Sequence, residues 1–264
     1  MSESLFPRLA AALAATEIDR KIALTAAVAA DWAAGDLDWH DMAPLDLPCG
    51  RPARPELVPP RQVAQRNAKS PEGRARLLHA IVHIEFSAIN LALDHAARFR
   101  AMPRTYYADW IGVAADEASH FSLLRRRLLA LGHDYGDFPA HAGLWDMAEK
   151  TADDVLARMA LVPRLLEARG LDATPPMRDR LAEAGDTESA AVLDIILRDE
   201  IGHVALGDAW FRRLCAGRGL EPEATYRRLL REFDAPWPQA PMNLAARLAA
   251  GFGENELAAL AEKR

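Results

Sequence analysis

Two five-residue stretches share one pattern: Asp116-Glu117-Ala118-Ser119-His120 and Asp199-Glu200-Ile201-Gly202-His203. A glutamate and a histidine three residues apart lie on one face of an α-helix, about a turn apart, so both can reach a single ion. One such pair arises easily by chance in a charged helical chain. Two copies are harder to dismiss as solvent-facing charge, because each sits on an apolar face. Val113, Ala114, Phe121 and Leu124 surround Glu117, and Ile196, Leu197 and Val204 surround Glu200. The pattern requires at least two long helices whose acidic seams point inward.

The rest of the chain supports an all-α reading. Alanine, leucine and arginine dominate, β-branched residues are sparse, and no stretch alternates apolar with polar as a half-buried strand would. Residues 1–34 read as one or two helices ending near Gly35. Residues 41–60 hold Pro44, Pro48, Pro52, Pro55, Pro59 and Pro60, a density no helix survives. This strap carries Leu45, Leu47, Leu57 and Val58, so it is expected to pack on a surface. Ser70-Pro71-Glu72 is a helix start, with a cap, a first-turn proline and an early acid. The first long helix should run to about Met102 and the second from about Arg104 to Leu131. Residues 132–150 read as a long connection. The third helix should run from the Thr151 cap to Gly170, with a short helix after Thr174-Pro175-Pro176. The fourth should run from near Asp186 to about Gly217, followed by a loop at 234–241 and one or two short helices. Four long helices with one long connection in the middle form a bundle with a crossover. The expected organisation is an N-terminal helix and strap over 1–69, a bundle over 70–217, and a C-terminal loop with short helices over 218–264. The terminal segments should pack on the outside of the bundle.

A di-metal bundle needs one further carboxylate from each remaining helix. The first helix offers Glu85 among Ile81, Val82, Ala88 and Ile89, where an unbound carboxylate would be costly to bury. The third offers Glu167, three residues before Gly170 and one turn after Pro163, with Arg164 and Gly170 on its face. The spacing repeats, since 32 residues separate Glu85 from Glu117 and 33 separate Glu167 from Glu200. The candidate ligands are therefore Glu85, Glu117, His120, Glu167, Glu200 and His203. Four carboxylates and two imidazoles suit two divalent ions such as iron or manganese.

This order of ligands resembles the ferritin-like di-iron carboxylate superfamily over residues 70–217. Finer features, HAIVHIEFSAINLALD, LLEARGLDATPP, ILRDEIGHVALGDAWF and the strap PCGRPARPELVPP, resemble the ferritin-like domain-of-unknown-function family 455 over nearly the whole chain. The resemblance implies that Glu117 and Glu200 bridge the metals, that Glu85 and Glu167 are terminal ligands, and that His120 and His203 each hold one iron. In similar proteins, aspartates placed like Asp116 and Asp199 hydrogen-bond a ligand histidine of the partner helix and raise its basicity. His79 and His83 are expected to be structural hydrogen-bonders, Trp110 and Trp210 core aromatics, and Arg125-Arg126-Arg127 a solvated face.

Composition narrows the function classes. Half the residues are hydrophobic and the formal net charge is -6. That excludes a disordered polyelectrolyte and disfavours bulk attraction to nucleic acid or an anionic membrane. Cys49 and Cys215 make neither a disulfide framework nor a CxxC motif, which fits a reducing cytoplasm. The apolar stretch Leu9–Ala15, after Glu3 and Arg8 and before the charged Glu17, Asp19, Arg20 and Lys21, reads as an amphipathic helix rather than a signal sequence. No run approaches the ~18 apolar residues of a membrane span. The leading expectation is a non-haem di-iron oxidoreductase that uses dioxygen to oxidise or hydroxylate an organic substrate. It would carry two iron ions, with manganese or a mixed manganese–iron pair as the alternative. The expected partners are a small-molecule substrate, dioxygen and an electron donor that the sequence does not name; a homodimer is left open. Two rivals remain: an iron-oxidising or storage protein, and a tRNA-modifying hydroxylase using arginines such as Arg98, Arg100 and Arg104.

Overall fold

The computed structural model describes residues 3–63 and 68–261. The chain is mostly helical and divides into two compact units, Met1–Gly143 and Leu144–Arg264.

In the first unit, α1 (Leu5–Ala14) and α2 (Ile18–Ala34) form the N-terminal pair. The second ends where the sequence indicated, with Gly35 in the left-handed region at φ 81°. Two short strands, β1 (Glu3–Ser4) and β2 (Leu37–Asp38), pair in parallel, a feature with no periodic signal. The proline-rich strap stays extended up to a 3-10 turn at Pro60–Gln62. It is anchored within this unit, Gly50 donating to the Leu13 carbonyl at 2.9 Å and Val58 to the Ala140 carbonyl at 2.8 Å. Then come α3 (Pro71–Arg98) and α4 (Arg104–Ala130), packed along their lengths as a hairpin. The Ser70 hydroxyl caps α3 by accepting from Gly73 N at 3.1 Å. The helix stops at Arg98, short of the expected Met102, because the turn bends through Ala101 at φ 59° and Pro103 starts α4. Tyr107 holds that turn, accepting from Met102 N at 3.2 Å. Leu78, Val82, Phe86 and Ile89 of α3 and Phe121, Leu124 and Leu128 of α4 are buried, each worth about 1.5–3 kcal/mol. By length and composition α3 could cross a membrane, at a mean hydropathy of 1.3, but 83% of its apolar window is buried inside the protein, as in a core helix.

The second unit corrects the reading of residues 132–150 and 151–176. The long connection contains a helix, α5 (Gly143–Lys150). The third long helix is not one rod ending at Gly170. It consists of α6 (Val155–Leu161), a π turn (Val162–Glu167) and α7 (Ala168–Glu183), which continues through Pro175 and Pro176. A proline inside a helix strands the carbonyl four residues earlier. Here that carbonyl belongs to Leu171, and Asn243 Nδ2 donates to it at 3.2 Å. A side chain from the C-terminal segment thus offsets the break.

The remaining elements are α8 (Thr187–Gly217), α9 (Pro222–Glu232), α10 (Leu244–Ala249) and α11 (Glu254–Ala261). Asp186 caps α8 by accepting from Ser189 N at 3.1 Å. Ala168, Leu171, Val204, Ala250, Phe252 and Leu257 form a core in which the C-terminal helices cover α7 and α8. Arg164, expected to mark a more polar face, is 1% exposed. It pairs with Asp208 at 2.6 Å and with Glu256, and lies over the rings of Tyr226 and Phe252.

Candidate metal centre

The first unit brings three of the predicted ligands together. Glu85 comes from α3; Glu117 and His120 come from successive turns of α4. The helical period sets their direction, since Ile81, Val82, Ala88 and Ile89 are buried beside Glu85, while Ile84 is 43% exposed. The three residues are 3%, 1% and 2% exposed. His120 Nδ1 lies 3.4 Å from Glu85 Oε2 and 3.5 Å from Glu117 Oε2. Each offers a ligand atom within 4.8 Å of the others', so this buried cluster could bind a metal ion.

The electrostatics follow from the crowding. Burial, and then the charge of Glu117, push the Glu85 carboxyl up to about 8. For His120, burial disfavours the cation, but the carboxylates of Glu117 and Glu85 outweigh it and push the ring up to about 11. Without a cation the cluster therefore retains protons. Glu85 Oε2 is buried and accepts no hydrogen bond of good geometry. Two buried carboxylates and a buried imidazole form a donor set that a divalent ion would satisfy.

In the second unit, α8 sets Glu200 and His203 on one face, with Glu200 Oε1 3.7 Å from His203 Nδ1. They are 9% and 3% exposed, with Ile196 and Val204 buried beside them. Glu167 is the last residue of the π turn and is half-buried. Asp116 is exposed on α4, and Asp199 pairs with its neighbour Arg198 at 2.8 Å.

The other singled-out residues have structural roles. Gly136 N donates to His79 Nε2 at 3.0 Å. His83 meets the Tyr135 hydroxyl at 2.8 Å and the His141 carbonyl at 3.0 Å. Trp110 and Trp210 are buried. Arg125 is not merely solvated, because it ties Asp134 at 2.7 Å and Asp19 at 3.0 Å. The arginines that favoured RNA are engaged within their own unit. Arg98 grips Asp94 at 2.7 Å, and Arg104 lies over Trp32 at 4.8 Å. Lys21 was missed altogether. It is wholly buried, capping the end of α1 through the carbonyls of Ala12 and Leu13. Its partners lie in another helix, so no local pattern announces it.

No solved structure matches the chain. A Haemophilus influenzae protein, described only as an uncharacterized protein, is 46% identical over 227 residues, covering 83% of this chain and 79% of its own. The family model described as "Protein of unknown function (DUF455)" matches residues 14–258. With nearly the whole length matched, the chain belongs to the DUF455 family.

Proposed function

We propose that this protein is a non-haem di-iron oxidoreductase of ferritin-like architecture. In this reading α3, α4, α6–α7 and α8 form one four-helix bundle over residues 70–217, joining Glu85, Glu117 and His120 to Glu167, Glu200 and His203. The observation that carries it is the burial of Glu85, Glu117 and His120 against one another, an arrangement that in the absence of metal is held by retained protons. The repeated Glu and ExxH order supports a second, matching half.

When bound, two iron ions would supply the reduction of dioxygen coupled to oxidation or hydroxylation of a small organic substrate. The chain's own residues do the rest. Glu117 and Glu200, together with Glu85 and Glu167, would hold the two ions and offset their charge. His120 and His203 would each offer a neutral imidazole to hold an ion. Asp116 and Asp199 orient those rings. The apolar walls keep bulk water out. Glu167 ends a π turn, a helix distortion of the kind found at functional sites, and in this reading it would be the ligand that moves most.

Ferrous titration under anaerobic conditions, followed by absorption spectroscopy after air is admitted, tests this. About two irons per chain are expected. Uptake that continues to form a mineral core would favour storage, and absence of metal binding under any condition would defeat both readings. Glu200→Ala should lose metal outright, whereas Glu167→Ala should keep some metal and lose oxygen reactivity. Asp116→Ala or Asp199→Ala should weaken metal binding about ten- to a hundred-fold with the fold intact.

A further inference from the structure

The proline-rich strap contributes nothing to the acid–histidine cluster, yet it is fixed along its length. Gly50 packs so tightly on α1 that a Cβ there would lie 2.1 Å from the Ala14 carbonyl oxygen. Glu56 and Val58 pair with Ala140, Ala140 N donating to the Glu56 carbonyl at 3.0 Å. Between them, Arg54 rests on Gly136, where a Cβ would come within 2.9 Å of the arginine's own. Held this way, Arg51, Pro52, Pro55 and Leu57 form one wall of a cavity of about 250 Å³, with His83 and Tyr135 opposite.

The two walls differ in chemistry. The His141 carbonyl can only accept, so His83 Nε2 carries the ring proton and Nδ1 accepts from the Tyr135 hydroxyl. That wall is neutral and satisfied. Arg51 forms no ion pair with any described residue, including Glu56 on the same rim. It lines the same cavity as His83 and Tyr135. The geometry points to a binding site for a small organic acid, its carboxylate on Arg51 and its apolar body against Pro52, Pro55, Leu57 and the Tyr135 ring. A single planar guanidinium matches one carboxylate through two parallel hydrogen bonds. A phosphate dianion would leave a charge uncompensated beside Glu56. With a water's share of liquid volume near ~30 Å³, the cavity has room for a ring-sized acid. The site is separate from the metal cluster. His83 precedes Glu85 by two residues and so faces away from it, and Tyr135 backs onto Phe86 and Phe121 at 5.3 and 5.4 Å.

The experiment uses the full chain stripped of metal, so that its outcome is independent of the di-iron reading. Sodium benzoate, sodium acetate and neutral benzyl alcohol are each titrated by calorimetry. Benzoate should bind saturably at one site per chain and more tightly than acetate, with no saturation by benzyl alcohol. Arg51→Gln, a change at an exposed side chain, should weaken benzoate about ten- to a hundred-fold, as expected for loss of a charge-assisted pair. Tyr135→Phe should retain binding. Three outcomes would each overturn the assignment: no saturable binding of either acid up to about 10 mM, equal benzoate affinity in Arg51→Gln, or benzyl alcohol binding as well as benzoate.

Discussion

His120 Nδ1 of α4 lies 3.4 Å from Glu85 Oε2 of α3, and both groups are buried. The contact forces the metal-free protein to hold protons that a metal must displace. Glu85 is raised to about 8, so the proton competes with metal below that value and yields above it. Apparent affinity for Mn(II) should therefore fall as pH drops from about 8 to about 6, roughly tenfold per unit for each proton displaced. Electron paramagnetic resonance of free Mn(II) reads this directly. A flat affinity over that range would contradict it.

Lys21 offers a test of stability against pH. Burial lowers its ammonium to about 8, from an ordinary value of 10.5. The folded protein thus binds this proton less tightly than the unfolded chain. The penalty is fully present below about 8 and is relieved as pH rises toward 10.5. Lys21→Met keeps the volume, removes this dependence, and leaves the Ala12 and Leu13 carbonyls without their donor. Between pH 8 and 10.5 the wild type should gain on the variant by up to about 3 kcal/mol. Urea denaturation of the two proteins across that range measures the difference.

Two glycines should respond oppositely to alanine. Gly50→Ala drives a Cβ into the Ala14 carbonyl and should destabilise by about 2 kcal/mol or more. Gly112 lies exposed on α4 with nothing within 4 Å of a new Cβ. Gly112→Ala should stabilise by about 0.5–1 kcal/mol. Thermal melts of both variants suffice, and the same sign for the two would be the unexpected result.

Glu256 and Arg164 form a wholly buried pair that ties α11 to the π turn. Removing one partner of such a pair typically costs about 3–5 kcal/mol. Glu256→Ala should lower stability by that order and speed hydrogen exchange across Val162–Glu167, with α3 and α4 unchanged. Equal exchange in the π turn would mean that other ties hold it, such as Arg247 on the Ala168 carbonyl at 3.3 Å.

The sequence by itself determined the local features. Ser70-Pro71 starts α3, Gly35 ends α2, and the prolines keep the strap extended, because capping and ring geometry act within a few residues. The inward direction of Glu85, Glu117, Glu200 and both motif histidines was legible as well, since a 3.6-residue period fixes which side chains share an apolar face. What only the tertiary structure decided depends on residues far apart in the chain. Gly170 looks like a helix end, yet α7 continues, because Asn243, 72 residues from Leu171, takes the carbonyl that Pro175 strands. Arg164 looks like a surface cation and is buried, because Asp208 and Glu256, 44 and 92 residues away, neutralise it. The cavity beneath the strap needs Arg51 and Tyr135 in one place. The raised Glu85 carboxyl exists only once α3 and α4 pack, since desolvation and the charge of Glu117 belong to the contact and not to either helix.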